Sequence, residues 1–374
     1  MTHAADPIPM AQPVIGAREE ELVLEVLRSG QLSLGCKTIE FEERLAARIG
    51  VRFGRATSSG TAGLHLALRA VGVQEGDEVV TSPLSFIASA NSVLFERAVP
   101  RFVDIDPVTL NMDPAAVADA IGPKTKAILP VHIFGYPADT PAMERHGLPI
   151  VEDACEALGA THADGVPVGG RGHPAVFAFY ANKQLATGEG GMVVTNDEAI
   201  AERIASERNQ GRAPDMGWLD HDRLGFNYRM SELQAALGVA QLERLDQMLA
   251  DRAKVAGWYR EALAELAERT GLSLPCEDRG TERRGWFVFV VQVPRGVDRD
   301  EVLRGMRAVG IDGKPYLPPI HLFSFYRELG YREGMFPICE DIGARSLALP
   351  FFPAMTQSQV ARVAERLSQL LLTS

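Results

Sequence analysis

Short, continuously apolar runs separated by helical patterns narrow the folds open to this chain more than any other feature. Up to about residue 245, six runs read as strands: Glu78–Thr81, Arg101–Asp104, Ala127–Val131, Pro149–Glu152, Val176–Phe179 and Met192–Thr195. Strands that lack polar alternation are covered on both faces, and the helices between them supply the cover. The pattern predicts an α/β fold with a mostly parallel central sheet. In such sheets ligands collect at the carboxyl ends of the strands, which is where Asp153 falls and where Lys183 lies a few residues on.

The remainder has a different rhythm. Ser231 and Gln234 have the spacing of a capping box and open a helix whose Leu233, Leu237, Ala240 and Leu245 recur at helical intervals. A second helix is predicted near Ala253 to Glu268, and Pro275 to Arg284 reads as a polar connector. Trp286 to Val293 then suits a strand, Arg299 to Ala308 a helix, and Thr356 to Leu372 a terminal helix capped by Thr356 and Gln359. A chain of 374 residues suits one large domain and one smaller one, and these patterns set them at 1–245 and 246–374.

Composition removes several classes of function. With 38 Lys+Arg against 49 Asp+Glu, the net charge of -11 gives no support to binding nucleic acid. Cys36, Cys155, Cys276 and Cys339 are scattered, with neither Cys-x-x-Cys pairs nor zinc-like His spacing, so reduced thiols and no metal are expected. Met1 to Glu20 lacks the basic start and apolar block of a signal peptide, and no apolar run nears the roughly 20 residues of a membrane span. A cytoplasmic protein without a membrane partner is expected.

Lys183 follows the apolar run Val176–Tyr180 and precedes Gly188-Glu189-Gly190-Gly191, while Asp153 closes an earlier run. An amine beyond one buried strand and an acid at the end of another are what pyridoxal 5'-phosphate (PLP) chemistry requires. The amine forms a Schiff base with the cofactor aldehyde, and the carboxylate keeps the pyridine nitrogen protonated. Gly60-Thr61-Ala62-Gly63 lies where the strand-like Arg55-Ala56-Thr57 gives way to a helix, an arrangement that suits an anion at a helix N-terminus. Gly30 to Thr38 is not a P-loop, because Cys36 separates Gly35 from Lys37 and the preceding Glu19 to Ser29 is helical in pattern.

Residues 149–196, PIVEDACEALGA through FAFYANKQLATGEGGMVVTN, resemble the DegT/DnrJ/StrS family of PLP-dependent, fold type I nucleotide-sugar aminotransferases. Other matching segments follow in order: Leu32–Gly35, Ser58–Ala62, Ser85–Asn91, Gly225–Gln234, Pro319–Leu322 and Leu347–Pro350. The resemblance covers nearly the whole chain and implies a three-layer large domain followed by a small α+β domain.

It also implies roles for particular residues. Lys183 carries PLP and moves protons, Asp153 pairs with the pyridinium, and Gly60, Thr61 and Ala62 hold the phosphate. Phe86 stacks on the ring, Glu156 reaches its phenolic oxygen, and Asn227 crosses to the phosphate of a partner subunit, which implies a homodimer with shared active sites. Arg229, Tyr316 and His321 are expected near the substrate. The implied reaction is ping-pong transfer of an amino group from L-glutamate to a nucleotide-linked keto sugar, a 4-keto-6-deoxyhexose. A ketocyclitol acceptor is an alternative, as is a non-catalytic PLP-binding or regulatory protein. The family's deoxygenating branch has histidine where this chain has Lys183. One position departs from the pattern: Ala178 stands where the family commonly has a phosphate-binding serine, a role that passes to Ser58, Ser59 or a water.

Overall fold

The computed structural model describes residues 6–213 and 220–372. Residues 1–5 of the N-terminal stretch read above lie outside the described residues. Among those described, the first half of the chain contributes strands β1 (Phe53–Thr57), β2 (Glu78–Thr81), β3 (Val99–Phe102), β4 (Thr125–Leu129), β5 (Glu152–Asp153), β6 (Ala175–Ala178) and β7 (Gly191–Thr195). β2 pairs in parallel with β3 and β4, and β5 in parallel with β6. Parallel bridges Ile128–Ile150 and Val131–Asp153 join these groups into one sheet of order β3-β2-β4-β5-β6-β7-β1. β7 alone is reversed, antiparallel to both β6 and β1.

The expected strands are present with shifted edges. Ala127–Val131 gives way to Thr125–Leu129, and Pro149–Glu152 to Glu152–Asp153. Proline has no N–H to give a ladder, so Pro130 and Pro149 fall outside the regular pairing. On the outer strand β3, exposed Val99 and Arg101 alternate with buried Pro100 and Phe102, so the strand starts two residues before the apolar run.

Pleating explains why the central strands read as unbroken apolar runs. In β6, Val176 packs with Leu64, Leu68 and Val79 on one side of the sheet, while Phe177 packs with Phe41, Leu45 and Ala236 on the other. In β7, Val193 joins the first group and Met192 and Val194 the second. Helix Gly60–Ala70 covers one face; helices Ala17–Ser29, Cys36–Ile49 and Glu232–Glu243 cover the other. Each large side chain buried this way contributes about 1.5–3 kcal/mol.

The capping box at Ser231 and Gln234 is formed, but the helix it opens ends at Glu243. After Arg244, where φ is -124, a 26-residue helix runs from Leu245 to Thr270, starting eight residues before the expected Ala253. Its Leu245 and Met248 pack in the first core, whereas Val255, Tyr259, Leu263 and Leu266 belong to a second core. That core is built on an antiparallel sheet of β8 (Phe289–Gln292), β9 (Lys314–Pro315) and β10 (Ser346–Leu349), ordered β8-β10-β9. The regular strand is shorter than the predicted Trp286–Val293. Helix Gln357–Leu372 has its Thr356–Gln359 cap: Gln359 Oε1 accepts the Thr356 N–H at 2.9 Å, and Thr356 Oγ1 accepts the Gln359 N–H at 3.2 Å. Ile8, near the start of the chain, is buried in this second core and bridges to Ile311.

Candidate active site

A cavity of about 420 Å³ opens at the carboxyl ends of the parallel strands. Asp153, Glu156, Lys183, Phe86, Gly60 and Thr61, gathered from four separate segments, all line it. The strands deliver them because the carboxyl ends of β1, β2, β5 and β6 and the loops that leave them each carry one or two. Among the described residues no cluster of His, Cys, Asp and Glu is arranged to hold a metal, and no helix is long and apolar enough to cross a membrane.

Asp153 ends β5 and is 5% exposed. Its Oδ2 accepts the Ser89 hydroxyl at 2.6 Å and its Oδ1 accepts the Cys155 N–H at 3.2 Å. The Ser89 proton is committed to Asp153, so the 2.6 Å contact between Ser85 and Ser89 must carry the Ser85 proton. Donors in series polarise one another and fix the carboxylate's direction. Ser89 was not foreseen as a site residue, although it lies within the Ser85–Asn91 motif three residues beyond Phe86.

Lys183 lies on the loop between β6 and β7, with its Nζ 3.6 Å from Glu156 Oε1 and 3.9 Å from the centroid of the Phe287 ring. Buried Arg252 donates to the carbonyls of Lys183 and Phe287, both at 3.1 Å, and so ties this loop to the approach to β8. Glu156 accepts the Phe134 N–H at 3.0 Å. Burial, opposed by nearby Lys183 and by that N–H, leaves its pKa above the usual carboxylate value. Tyr316 lines the same cavity, and burial reinforced by Glu156 raises its phenol well above 10.

At the start of helix Gly60–Ala70, Ser59 is the N-cap, and its Oγ accepts the Ala62 N–H at 3.1 Å. Ala62 therefore does not line the cavity as expected; its N–H is already used, leaving Gly60 and Thr61 for a ligand. The backbone is packed tightly here. A Cβ at Gly60 would lie 2.7 Å from the Ala178 Cβ, and one at Gly191 would lie 2.5 Å from the Ser59 carbonyl. Ser59 lines the cavity beside Ala178, and Ser58 does not. Because Ser59 Oγ accepts at the cap, its own proton is free to be donated.

Three other expected residues are placed elsewhere. His321 is fully buried, with Nε2 2.9 Å from Glu340 Oε1 and its ring edge-on to Phe336, so it is a packing residue and does not line the cavity. Sequence alone did not show that the short helical turn Ile320–Leu322 faces inward. Arg229 donates to Asn209 and Gln210 at 2.9 and 3.1 Å, also outside the cavity. Asn227 is exposed on the same segment. Asn182, not foreseen as a contact, lines the cavity, and its buried Oδ1 has no hydrogen-bond partner among the described residues.

The residues present fit PLP. The helix start with Thr61 and the Ser59 hydroxyl suits a phosphate, Phe86 offers an exposed ring, and the Asp153 carboxylate and Lys183 amine, which line the same cavity, are the group types that a pyridine nitrogen and an aldehyde call for. Such a sheet with such a cavity defines a fold type I, PLP-dependent aminotransferase. Residues 13–368 match the DegT/DnrJ/EryC1/StrS aminotransferase family, to which the chain belongs. It is 40% identical to the GDP-perosamine synthase of Caulobacter vibrioides, with 98% of each chain covered. It is 38% identical to the spore coat polysaccharide biosynthesis protein SpsC of Bacillus subtilis, covering 97% of each. Among solved structures, S. venezuelae DesV in complex with a ketimine intermediate superposes with a TM-score of 0.90 at 34% identity, covering 98% of each chain.

Proposed function

We propose that this enzyme transfers the amino group of L-glutamate to a nucleotide-linked keto sugar, a 4-keto-6-deoxyhexose, by a ping-pong route. The observation that carries the reading is the Lys183 amine inside the cavity, with the Asp153 carboxylate fixed in the same wall by Ser89 and the Cys155 N–H. The 40% identity to a GDP-perosamine synthase supports the choice of acceptor. PLP, when bound, supplies an aldehyde for the Schiff base on Lys183 and a ring that takes up electrons.

The chain's own groups supply the rest. Asp153 stabilises the positive pyridine nitrogen. The Lys183 amine would move a proton at the donor's alpha carbon. Gly60, Thr61 and the Ser59 hydroxyl hold the phosphate, with Ser59 taking the part of the serine absent at 178. Phe86 covers the ring face, Glu156 meets the phenolic oxygen, and Tyr316 borders the acceptor. Arg229 braces the segment that presents Asn227 to the phosphate site of a second copy, which makes the working unit a homodimer. Residues 1–245 form the PLP-binding domain and 246–374 the small one; the helix break at Arg244 supports that division. Four unpaired cysteines suit a cytoplasmic setting.

The test is spectroscopic. Enzyme loaded with PLP should show a band near the visible edge that is lost on adding L-glutamate and returns with a nucleotide 4-keto-6-deoxyhexose. Return with a ketocyclitol instead would move the acceptor class, and a band indifferent to glutamate would mean a binding protein.

A further inference from the structure

Glu152 and Asp153 are consecutive residues of β5, so the pleat sends their side chains to opposite faces. Asp153 lines the PLP cavity, whereas Glu152 is wholly enclosed and meets His132, also wholly enclosed, at 2.9 Å. The His132 tautomer follows from its partners. Nδ1 accepts the Ala138 N–H at 2.9 Å, so the ring proton is on Nε2 and is donated to Glu152 Oε2. The His132 backbone N–H is donated to the Asp153 carbonyl at 3.0 Å. His132 thus grips β5 twice and the following turn once.

That turn is where the grip bears on the site. Between His132 and Ala138 the chain makes a tight turn in which Phe134 takes φ 52, a left-handed conformation unusual for a bulky side chain. Strain of this kind persists only where surrounding bonds hold it. Asn111 accepts the Ile133 N–H, and His132 Nδ1 holds the far end. The strained residue is the one whose N–H holds Glu156, whose other oxygen lies 3.6 Å from the Lys183 amine. A continuous path therefore runs from Glu152 on the closed face, through His132 and the Phe134 N–H, to Glu156 and Lys183 on the open face.

We infer that His132, anchored by Glu152, is a positioning residue that sets Glu156 beside Lys183 by holding the 133–138 turn. The inference rests on the reading of Lys183 as the PLP-bearing residue. Besides Lys183, Asp153, Cys155 and Tyr316 act electrically on Glu156 or feel its charge, and His162 Nε2 stands 3.9 Å from Glu152 Oε2. None of these is altered by the substitutions used here.

The experiment titrates the visible absorbance of the PLP-loaded enzyme against pH. A carboxylate within about 4–6 Å favours the protonated form of a cation by one unit or more, so Glu156→Gln should lower the midpoint by about one pH unit. His132→Leu should lower it in the same direction. In the His132→Leu/Glu156→Gln double variant the midpoint should fall no further than in Glu156→Gln alone, because both changes remove one effect. His132→Asn, whose side-chain oxygen can take the place of Nδ1, should restore most of the wild-type midpoint, and His132→Ala, which also removes the acceptor for the Ala138 N–H, should lower it and serves if the leucine variant does not fold. A wild-type midpoint in the leucine or alanine variant would overturn the inference, as would additive shifts in the double variant. A wild-type protein with no titrating band would overturn the PLP reading and this inference together.

Discussion

The two faces of β5 carry neighbouring acids with opposite fates. On one face Asp153 borders an open cavity, held by a hydroxyl and a backbone N–H but otherwise free to meet a ligand. On the other, Glu152 is sealed beside His132 and His162, with one oxygen that finds no hydrogen-bond partner among the described residues. Both are buried acids, so burial does not mark the chemical one. What separates them is access to space large enough for a ligand.

The sharpest way to break this contrast is on the open face. Lys183→Ala should lower kcat/KM by about 10,000-fold, because it removes both the covalent attachment and the proton carrier. Steady-state kinetics should show that loss with little change in the melting temperature of the apoenzyme, since the amine's contacts are a 3.6 Å approach to Glu156 and the face of Phe287. On the closed face the reverse is expected. Glu152→Leu should cost about 1–3 kcal/mol of stability in urea unfolding, because it leaves the buried Nε2–H of neutral His132 without its acceptor. Glu152→Gln, which keeps an acceptor for His132, should cost far less.

Smaller effects refine the comparison. Asp153→Ala should reduce kcat by about 100- to 1,000-fold through lost stabilisation of ring charge, with the fold intact by circular dichroism. Ala178→Ser should leave PLP affinity of the apoenzyme nearly unchanged, because Ser59 already fills the role beside it; tightening by about tenfold, the gain from one added charge-assisted bond, would mean that the role stood empty. The last effect concerns pH. Burial, opposed by Glu152, lowers the His132 pKa from 6.5, so the folded ring stays neutral where the unfolded one takes a proton. This contribution is present above pH 6.5 and is lost as pH falls below it, by at most about 1.4 kcal/mol per pH unit. Thermal melts from pH 7.5 to 5.5 should show a decline that is smaller in His132→Asn.

The strands were legible because two-sided burial leaves an apolar run, and the helix starts were legible because Ser231 and Thr356 carry their caps in sequence. Reversal of β7 was not legible, since a buried antiparallel strand and a buried parallel one have the same composition. Within the site, Lys183, Asp153, Gly60 and Phe86 could be picked out from motifs that the sheet then gathers. His321 and Ala62 do not line the cavity: a motif records which residues recur together and leaves open which way each faces. Ser89 and Asn182 went unassigned although both lie within the matched segments, since only the fold shows that Ser89 meets Asp153 and that Asn182 Oδ1 lacks a hydrogen-bond partner among the described residues.

The reversal of β7 has a consequence for how the reactive amine is put in place. β6 and β7 are sequence neighbours and antiparallel, so residues 179–190 close as a hairpin-like excursion instead of crossing over the sheet. Closing so short a loop costs little chain entropy, and its partners lie next to one another along the chain. Lys183 therefore sits on a locally assembled hairpin that should form early as the protein folds, with Glu156, Arg252 and Phe287 closing around it later.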